Sequence, residues 1–415
     1  MPKTEVVIIG AGLSGLTCAR RLQESKVGFV ILDASDAIGG RVRTDCVEGF
    51  MLDRGFQIFL DAYPEPRRWV DLDDLKLRPF FPGAQVWYGD RFHRMADPFR
   101  RPVEAMESLF NPIGGILDKL KVALVRSKAC RGTLQDLFAR PEQTTLEELV
   151  QAGFSQAMID RFFRPFLSGI LLDRELVTSS RIFEFLFRMF STGNSALPAG
   201  GMGELPKQLA GGLPARCIQL NSIVAGIDDN RVRLDSGEIW DARAVVVATD
   251  GSVAAKLTGL IPQVGSRSVQ CHYYVGPASQ NQEPILFLDG TGRKPFNTAV
   301  FINAIQPQSA PAGMGLLSVT ALGANPVNES IAREQLGDWF GGEVANWRLL
   351  RKYLITHAQP DLSQLKLPGK IPDARVRKGL YACGDYRWTA SINGAMESGR
   401  LAAETVLNDI AAAVI

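Results

Sequence analysis

The chain opens on an apolar run, Val6-Val7-Ile8-Ile9, followed by glycines at 10, 12 and 15 and a helix-forming stretch from Leu16 to Gln23. A short run of consecutive apolar residues ending in turn residues predicts a strand buried on both faces, as in a parallel sheet. A second run, Phe29-Val30-Ile31-Leu32, ends in Asp33, which completes a strand–turn–helix–strand unit with an acidic end. Similar runs return at Ala244–Thr249 and at Gly379–Cys383. The latter enters a Gly384-Asp385 turn and then a helix that starts near Ser391 and continues through Leu401, Ala402 and Val406.

Between these runs the period changes. Gln85–Tyr88 and Arg91–His93 flank Gly89-Asp90, which predicts a hairpin with a two-residue turn, glycine first. Residues 97–191 read as largely helical. Met158, Ile159, Phe162, Phe163 and Phe166 recur at helical spacing, and Ser179-Ser180 can cap a helix carrying Ile182, Phe183, Leu186, Phe187 and Phe190. Eight of the 22 Phe lie between Phe154 and Phe190. They fit either an aromatic core or the walls of a channel for a long apolar ligand. Strands are predicted again at Val269–Val275, Ile285–Leu288, Ala299–Ile302 and Gly315–Thr320, then a helix at Glu329–Phe340.

Composition narrows the class. The 415 residues are 46% hydrophobic and 22% charged, a globular balance long enough for two or three domains. A net charge of +2 gives no electrostatic case for nucleic acid as a partner. The six Cys are scattered and suit reduced thiols in a cytosolic protein. His93, His272 and His357 lie far apart, so no metal centre is expected. No charged segment with a long apolar stretch precedes the first strand, and no 18-residue apolar run occurs, so neither a signal peptide nor a membrane span is expected. The expected location is the cytoplasm. Peripheral membrane contact through the apolar helices of 154–190 is a further expectation.

The glycines carry the first chemistry. Gly10 permits the tight turn, Gly12 lets backbone approach a pyrophosphate, and Gly15 allows close helix–strand packing. The helix N-terminus then faces the phosphate charge, and Asp33 can accept from ribose hydroxyls. A bare glycine pattern also fits other α/β turns; the surrounding strand, helix and Asp33 make it a dinucleotide site. Soon after, Gly39 and Gly40 expose backbone N–H groups, and Arg41 offers a guanidinium fork to phosphate oxygens.

Together the glycine turn, Asp33 and Gly39-Gly40-Arg41 resemble the flavin-binding start of the amine oxidase and phytoene desaturase superfamily. The resemblance implies FAD rather than NAD, with Arg41 against the pyrophosphate. It places Gly384 and Asp385 at the ribityl and phosphate region, and the helix opening at Gly394-Ala395 towards the flavin pyrimidine ring, where a helix N-terminus stabilises negative charge. Pro198–Leu205 resembles the family's entry to the second flavin-domain segment, Val224 matches a valine whose backbone meets the adenine, and the Val245-Val246-Val247 strand is expected to close the sheet. The implied fold is α/β. A discontinuous Rossmann-type FAD-binding domain would use residues 1–60, 198–262 and 368–415. A substrate domain of 61–197 and 263–367 would place a mixed sheet over the flavin beside the helical 97–191. The FAD is expected to be non-covalent, since the family's covalent cysteine lies upstream of Cys383.

A flavin carries hydride chemistry itself, so few catalytic side chains are needed; the candidates are His272 and Tyr273 on a roof strand. Amine oxidases of this group place a lysine on such a strand, and Ser266–Leu288 contains none. They also place a tyrosine where this chain has Ser391. The run from Ser391 to Gly399 looks more like plant-type carotenoid desaturases. The resemblance therefore implies an FAD-dependent oxidoreductase taking a hydride from a hydrophobic, isoprenoid-like small molecule, with a quinone as acceptor. A flavin amine oxidase, a protoporphyrinogen oxidase-like enzyme, and a non-enzymatic prenyl- or lipid-binding protein on the same fold are the alternatives.

Overall fold

In the computed structural model, which describes residues 3–278, 282–363 and 369–415, the apolar runs of the two chain ends meet in one sheet. Lys3–Ile9 lies between Phe29–Leu32 and Ile239–Val247, parallel to both. Leu380–Ala382 continues the parallel sheet beyond Val245–Val247, and Ile218–Gln219 extends it beyond Phe29–Leu32. The valine strand thus does not close the sheet. It is an inner strand paired on both edges, which suits side chains that are fully buried at Val245, Val246 and Val247. Beyond Leu380–Ala382 lies Arg375–Arg377, whose arginines blunt the edge.

The helices Leu13–Glu24 and Ile392–Ala411 pack against each other at backbone distance. A Cβ at Gly399 would sit 2.1 Å from the Ser14 carbonyl oxygen, and one at Gly15 would sit 1.9 Å from that of Gly10. Both positions therefore exclude any side chain.

The second sheet has seven strands in the order Arg348–Asp361, Gly265–Pro277, Met314–Leu322, Thr298–Phe301, Leu286–Asp289, Gly83–Tyr88 and Arg91–Ala96. All neighbours are antiparallel except Leu286–Asp289 with Gly83–Tyr88. Tyr88 pairs with Arg91, which leaves the expected two-residue turn, and Gly89 has φ +73°. Arg348–Asp361 was not foreseen. As an edge strand it carries Arg348, Arg351 and Lys352 outward, so its pattern reads as a polar segment. Side chains alternate along Gly265–Pro277. Cys271 and Tyr273 enter the main core, whereas Tyr274 packs with Phe296, Leu336 and Trp339 beneath the helix Glu329–Phe340.

Helices fill most of residues 102–192. A single π turn, Ile159–Phe163, leads into Arg164–Leu171, where Pro165 has no N–H for the regular ladder. The apolar faces of this region point inward: Phe154, Phe163, Phe183 and Phe185 are 6, 0, 0 and 1% exposed. The expectation that 154–190 offers a membrane face is thereby corrected, because those rings already fill the core. The expected boundary between residues 367 and 368 lies outside the described residues.

Candidate functional site

A cavity of about 900 Å³ runs from the carboxyl ends of the first sheet's parallel strands to the space between the helical layer and the second sheet. Ile9, Leu32, Ala248 and Gly384 bring the strand ends to it, the usual ligand crevice of such sheets. Gly10 and Gly12 line this end but differ in what the chain needs of them. At φ +111°, a Cβ on Gly10 would lie 2.8 Å from the Ala248 carbonyl oxygen. Gly12 has ordinary extended geometry, φ −74°, and a Cβ there would meet nothing within 4 Å. The protein alone gives no reason for glycine at 12; a group seated in the cavity does. The helix that starts there has no side-chain cap and no acid in its first turn, so its first N–H groups are open to an anion.

Around that turn the predicted residues converge. Gly39 and Gly40 line the cavity with positive φ, and Gly39 bridges to Gly12. Asp33 is 8% exposed; its two carboxylate oxygens accept from the Ala11 and Ser35 amides at 2.5 and 2.7 Å. Each oxygen keeps a lone pair for a further donor. Arg41 pairs with Asp385 at 2.8 Å and also donates to the Ala358 carbonyl at 3.1 Å. Val224, Gly384 and Ala395 complete the lining contributed by the predicted set.

Two predicted cofactor residues do not line the cavity. Gly15 is required by the helix–strand contact. Gly394 is required because its Cβ would lie 2.2 Å from the Thr389 carbonyl oxygen, while its amide donates to Ser391 Oγ at 3.0 Å. Cys383 is fully buried, and burial pushes its thiol up to about 12; it does not line the cavity either.

The other end of the cavity is a chamber. Phe166, Ile170 and Leu171 come from one helix, and Ile182, Phe185, Leu186 and Phe190 from Ser180–Thr192. Val269, Leu286, Thr298 and Thr320 face them from the second sheet, and Tyr63 stacks on Phe185 at 5.9 Å between centroids. These helices and the strands of 265–322 bring no charged side chain to the lining. The phenylalanines thus serve both roles read from the sequence. Phe154, Phe163 and Phe183 are core, and Phe166, Phe185 and Phe190 are also wall. Sequence reasoning missed Gln57, Tyr63 and Lys256, which line the cavity from unrelated segments, and Ile355, His357 and Gln359, which alternate along the unforeseen strand Arg348–Asp361.

His272 and Tyr273 do not reach this cavity. The Tyr273 hydroxyl donates to the Asp53 carbonyl at 2.8 Å. His272 is 1% exposed, edge-on to Phe296, with neither ring nitrogen bonded among the described residues. Burial first, then the nearby Lys352 charge, lowers its pKa from 6.5 to about 4. Folded protein therefore keeps this ring neutral where the unfolded chain protonates it. Stability from this group is intact above about pH 6.5 and is lost as pH falls towards about 4. The expected result is that His272→Phe flattens part of that loss in urea titrations between about pH 5 and about pH 8. Flavin content should be unchanged. A variant that loses its flavin, or keeps the full acid slope, would contradict a purely structural role.

A cradle shaped by an unneeded glycine, an uncapped helix start, Asp33 and an arginine fits a dinucleotide cofactor. The model of the family "flavin containing amine oxidoreductase" matches residues 13–407. The chain belongs to this family. The chain is 24% identical to coproporphyrinogen III oxidase of Mycobacterium leprae (strain TN) over 65% of its own length and 64% of that protein's. The chain thus spans slightly less than two thirds of that relative. It is 23% identical to a 15-cis-phytoene desaturase of an Oncidium hybrid cultivar over 98% of its length and 78% of that protein's. Among solved structures, an oxidoreductase from Methanosarcina mazei superposes with a TM-score of 0.72 at 17% identity, over 97% of this chain and 100% of that one. At that identity the likeness shows the fold.

Proposed function

We propose that this flavin oxidoreductase takes a hydride from an uncharged, hydrophobic, isoprenoid-like substrate lodged in the chamber. One observation carries the reading: the helical wall and the facing strands of 265–322 contribute no charged side chain to the chamber, and Arg54, which lines the same cavity, is paired with Asp45. A cationic amine would need a carboxylate there, and a polycarboxylate would need arginine or lysine, because an unpaired buried charge is costly. A long apolar molecule needs neither.

FAD, held without a covalent bond, supplies the hydride acceptor. Gly10, Gly12, Gly39, Gly40 and Arg41 would hold its pyrophosphate, Asp33 a ribose, and Val224 the adenine. Gly384, Asp385 and Ala395 would hold the flavin side, with Gly15 and Gly394 keeping the two helices close enough to do so. In this reading, residues 1–60, 198–262 and 368–415 bind the cofactor, while 61–197 and 263–367 build the chamber. The chamber's aromatic wall keeps water from the reacting carbon. Per turnover the substrate loses two electrons and two protons, and a quinone takes up both as the quinol. A quinone is favoured over oxygen because the strands at Ser266–Leu288 place only Val269 and Leu286 in the lining and so bring no lysine from that side to stabilise superoxide. No helix among the described residues is long and apolar enough to cross a membrane. A cytoplasmic enzyme in peripheral contact with a membrane would meet both apolar reactants there.

The test is anaerobic mixing of the yellow protein with phytoene in detergent micelles, with putrescine, or with protoporphyrinogen. Bleaching of the oxidised flavin by phytoene, reversed faster by a soluble quinone analogue than by air, supports the reading. Bleaching by putrescine or protoporphyrinogen alone overturns it.

A further inference from the structure

Eight of the fifteen large apolar side chains left exposed among the described residues fall between Phe99 and Leu124. Val103, Met106 and Phe110 are 74, 66 and 84% exposed along and just past the helix Pro102–Ser108. Leu117, Leu120 and Leu124 are 70, 60 and 69% exposed on the helix Ile116–Cys130. Leu117, Leu120 and Leu124, spaced three and four apart, share one helical face, and Val103 and Met106, three apart, share another. Basic side chains hold the two stripes together. Lys119 Nζ donates to the Leu109 and Asn111 carbonyls at 3.1 and 3.3 Å. Arg126 pairs with Asp97 at 3.3 Å and lies 4.3 Å from the centre of the Phe99 ring. An apolar surface gathered in this way marks a contact surface.

Charge selects the occupant. Residues 97–131 carry seven Lys or Arg against four Asp or Glu, and of the seven Lys128 is matched by Glu148 and Glu184 from neighbouring helices at 2.6 and 2.8 Å. One of the four, Asp118, is buried and accepts from Gly115 and Ser155. A second copy of the chain would set this cationic face against itself across a two-fold axis. Anionic lipid headgroups complement it. The face also adjoins the chamber. Arg100 donates to the Phe190 carbonyl at 3.0 Å and Arg126 to that of Ser191 at 2.9 Å, at the end of the helix whose Leu186 and Phe190 form the chamber wall.

We infer that the 99–124 face docks on an anionic phospholipid bilayer. Both apolar stripes enter the headgroup–acyl boundary, the basic side chains remain at the headgroups, and no segment crosses. The inference rests on the membrane contact proposed above and gives it a surface. Binding is read without turnover, so a failure of the substrate reading and a failure of docking are separate results.

The experiment is flotation of the flavin-loaded protein with vesicles of phosphatidylcholine alone or with a quarter phosphatidylglycerol. The expected result is partition onto the anionic vesicles about tenfold stronger than onto phosphatidylcholine, weakened by salt. The triple variant Leu117→Glu, Leu120→Glu, Leu124→Glu should lose at least about tenfold in partition with its flavin content and melting temperature unchanged. Ile331→Glu, at a 45% exposed site on the helix Glu329–Phe340, should bind as wild type. Wild-type protein that stays off anionic vesicles, or a triple variant that binds them undiminished, overturns the inference. So does a wild-type dimer that the triple variant converts to monomer without any vesicle binding.

Discussion

Gly12→Val is expected to produce a folded but colourless protein. The position has φ −74°, which any residue adopts, and a Cβ there meets no protein atom within 4 Å. The new side chain therefore costs the apoprotein little. It projects instead into the cavity at the uncapped start of the helix Leu13–Glu24, where the pyrophosphate would approach the backbone. A loss of at least about a hundredfold in FAD affinity is expected, about 2.7 kcal/mol. Flavin released by heat per chain, read beside the circular dichroism spectrum, checks both halves. Stoichiometric FAD in the variant would refute the site. Gly15→Val is the useful contrast: its Cβ falls 1.9 Å from the Gly10 carbonyl oxygen, so the fold itself should fail.

Arg41→Met should harm both the apoprotein and the cofactor. The Arg41 side chain is 34% exposed and pairs at 2.8 Å with Asp385, which is 8% exposed. Removing it leaves a buried carboxylate without its cation and releases the Ala358 carbonyl on the roof strand. Partial solvent access at the arginine moderates the cost, so a loss of about 1–3 kcal/mol in urea unfolding is expected. FAD affinity should fall about tenfold as one charge-assisted phosphate contact disappears. Asp385→Asn in the Arg41→Met background should recover stability, since no unpaired charge remains, without recovering affinity. If Arg41→Met retains both stability and FAD, the arginine has neither role.

The glycine-lined end of the cavity was legible because its parts are local. Gly10, Gly12, Gly15 and Asp33 belong to one strand–turn–helix–strand unit, and the glycine and charge spacing state the backbone geometry directly. The role of Gly15 within that set was legible too, as the close helix–strand contact. A Cβ there would fall 1.9 Å from the Gly10 carbonyl oxygen of the same turn, whereas one at Gly12 would meet nothing within 4 Å. The placement of His272 and Tyr273 was not legible: Phe296 and the Asp53 carbonyl, distant in the chain, hold them outside the cavity lining.

What the sequence determined by itself was the parallel βαβ start, the hairpin at Gly89-Asp90, the helical 97–191 stretch and the cofactor class. In each, the code is a period or spacing read over a few residues. Tertiary structure alone decided the rest. Arg41 meets Asp385 across 344 positions, and the chamber takes its wall from Tyr63, from helices at 164–192 and from strands as late as Ile355. It also decided that the phenylalanines of 154–190 turn inward while Val103, Met106, Leu117, Leu120 and Leu124 stay in water. Hydrophobic periodicity specifies that a helix has an apolar face; which surface covers that face, or whether any does, depends on packing partners distant in the chain.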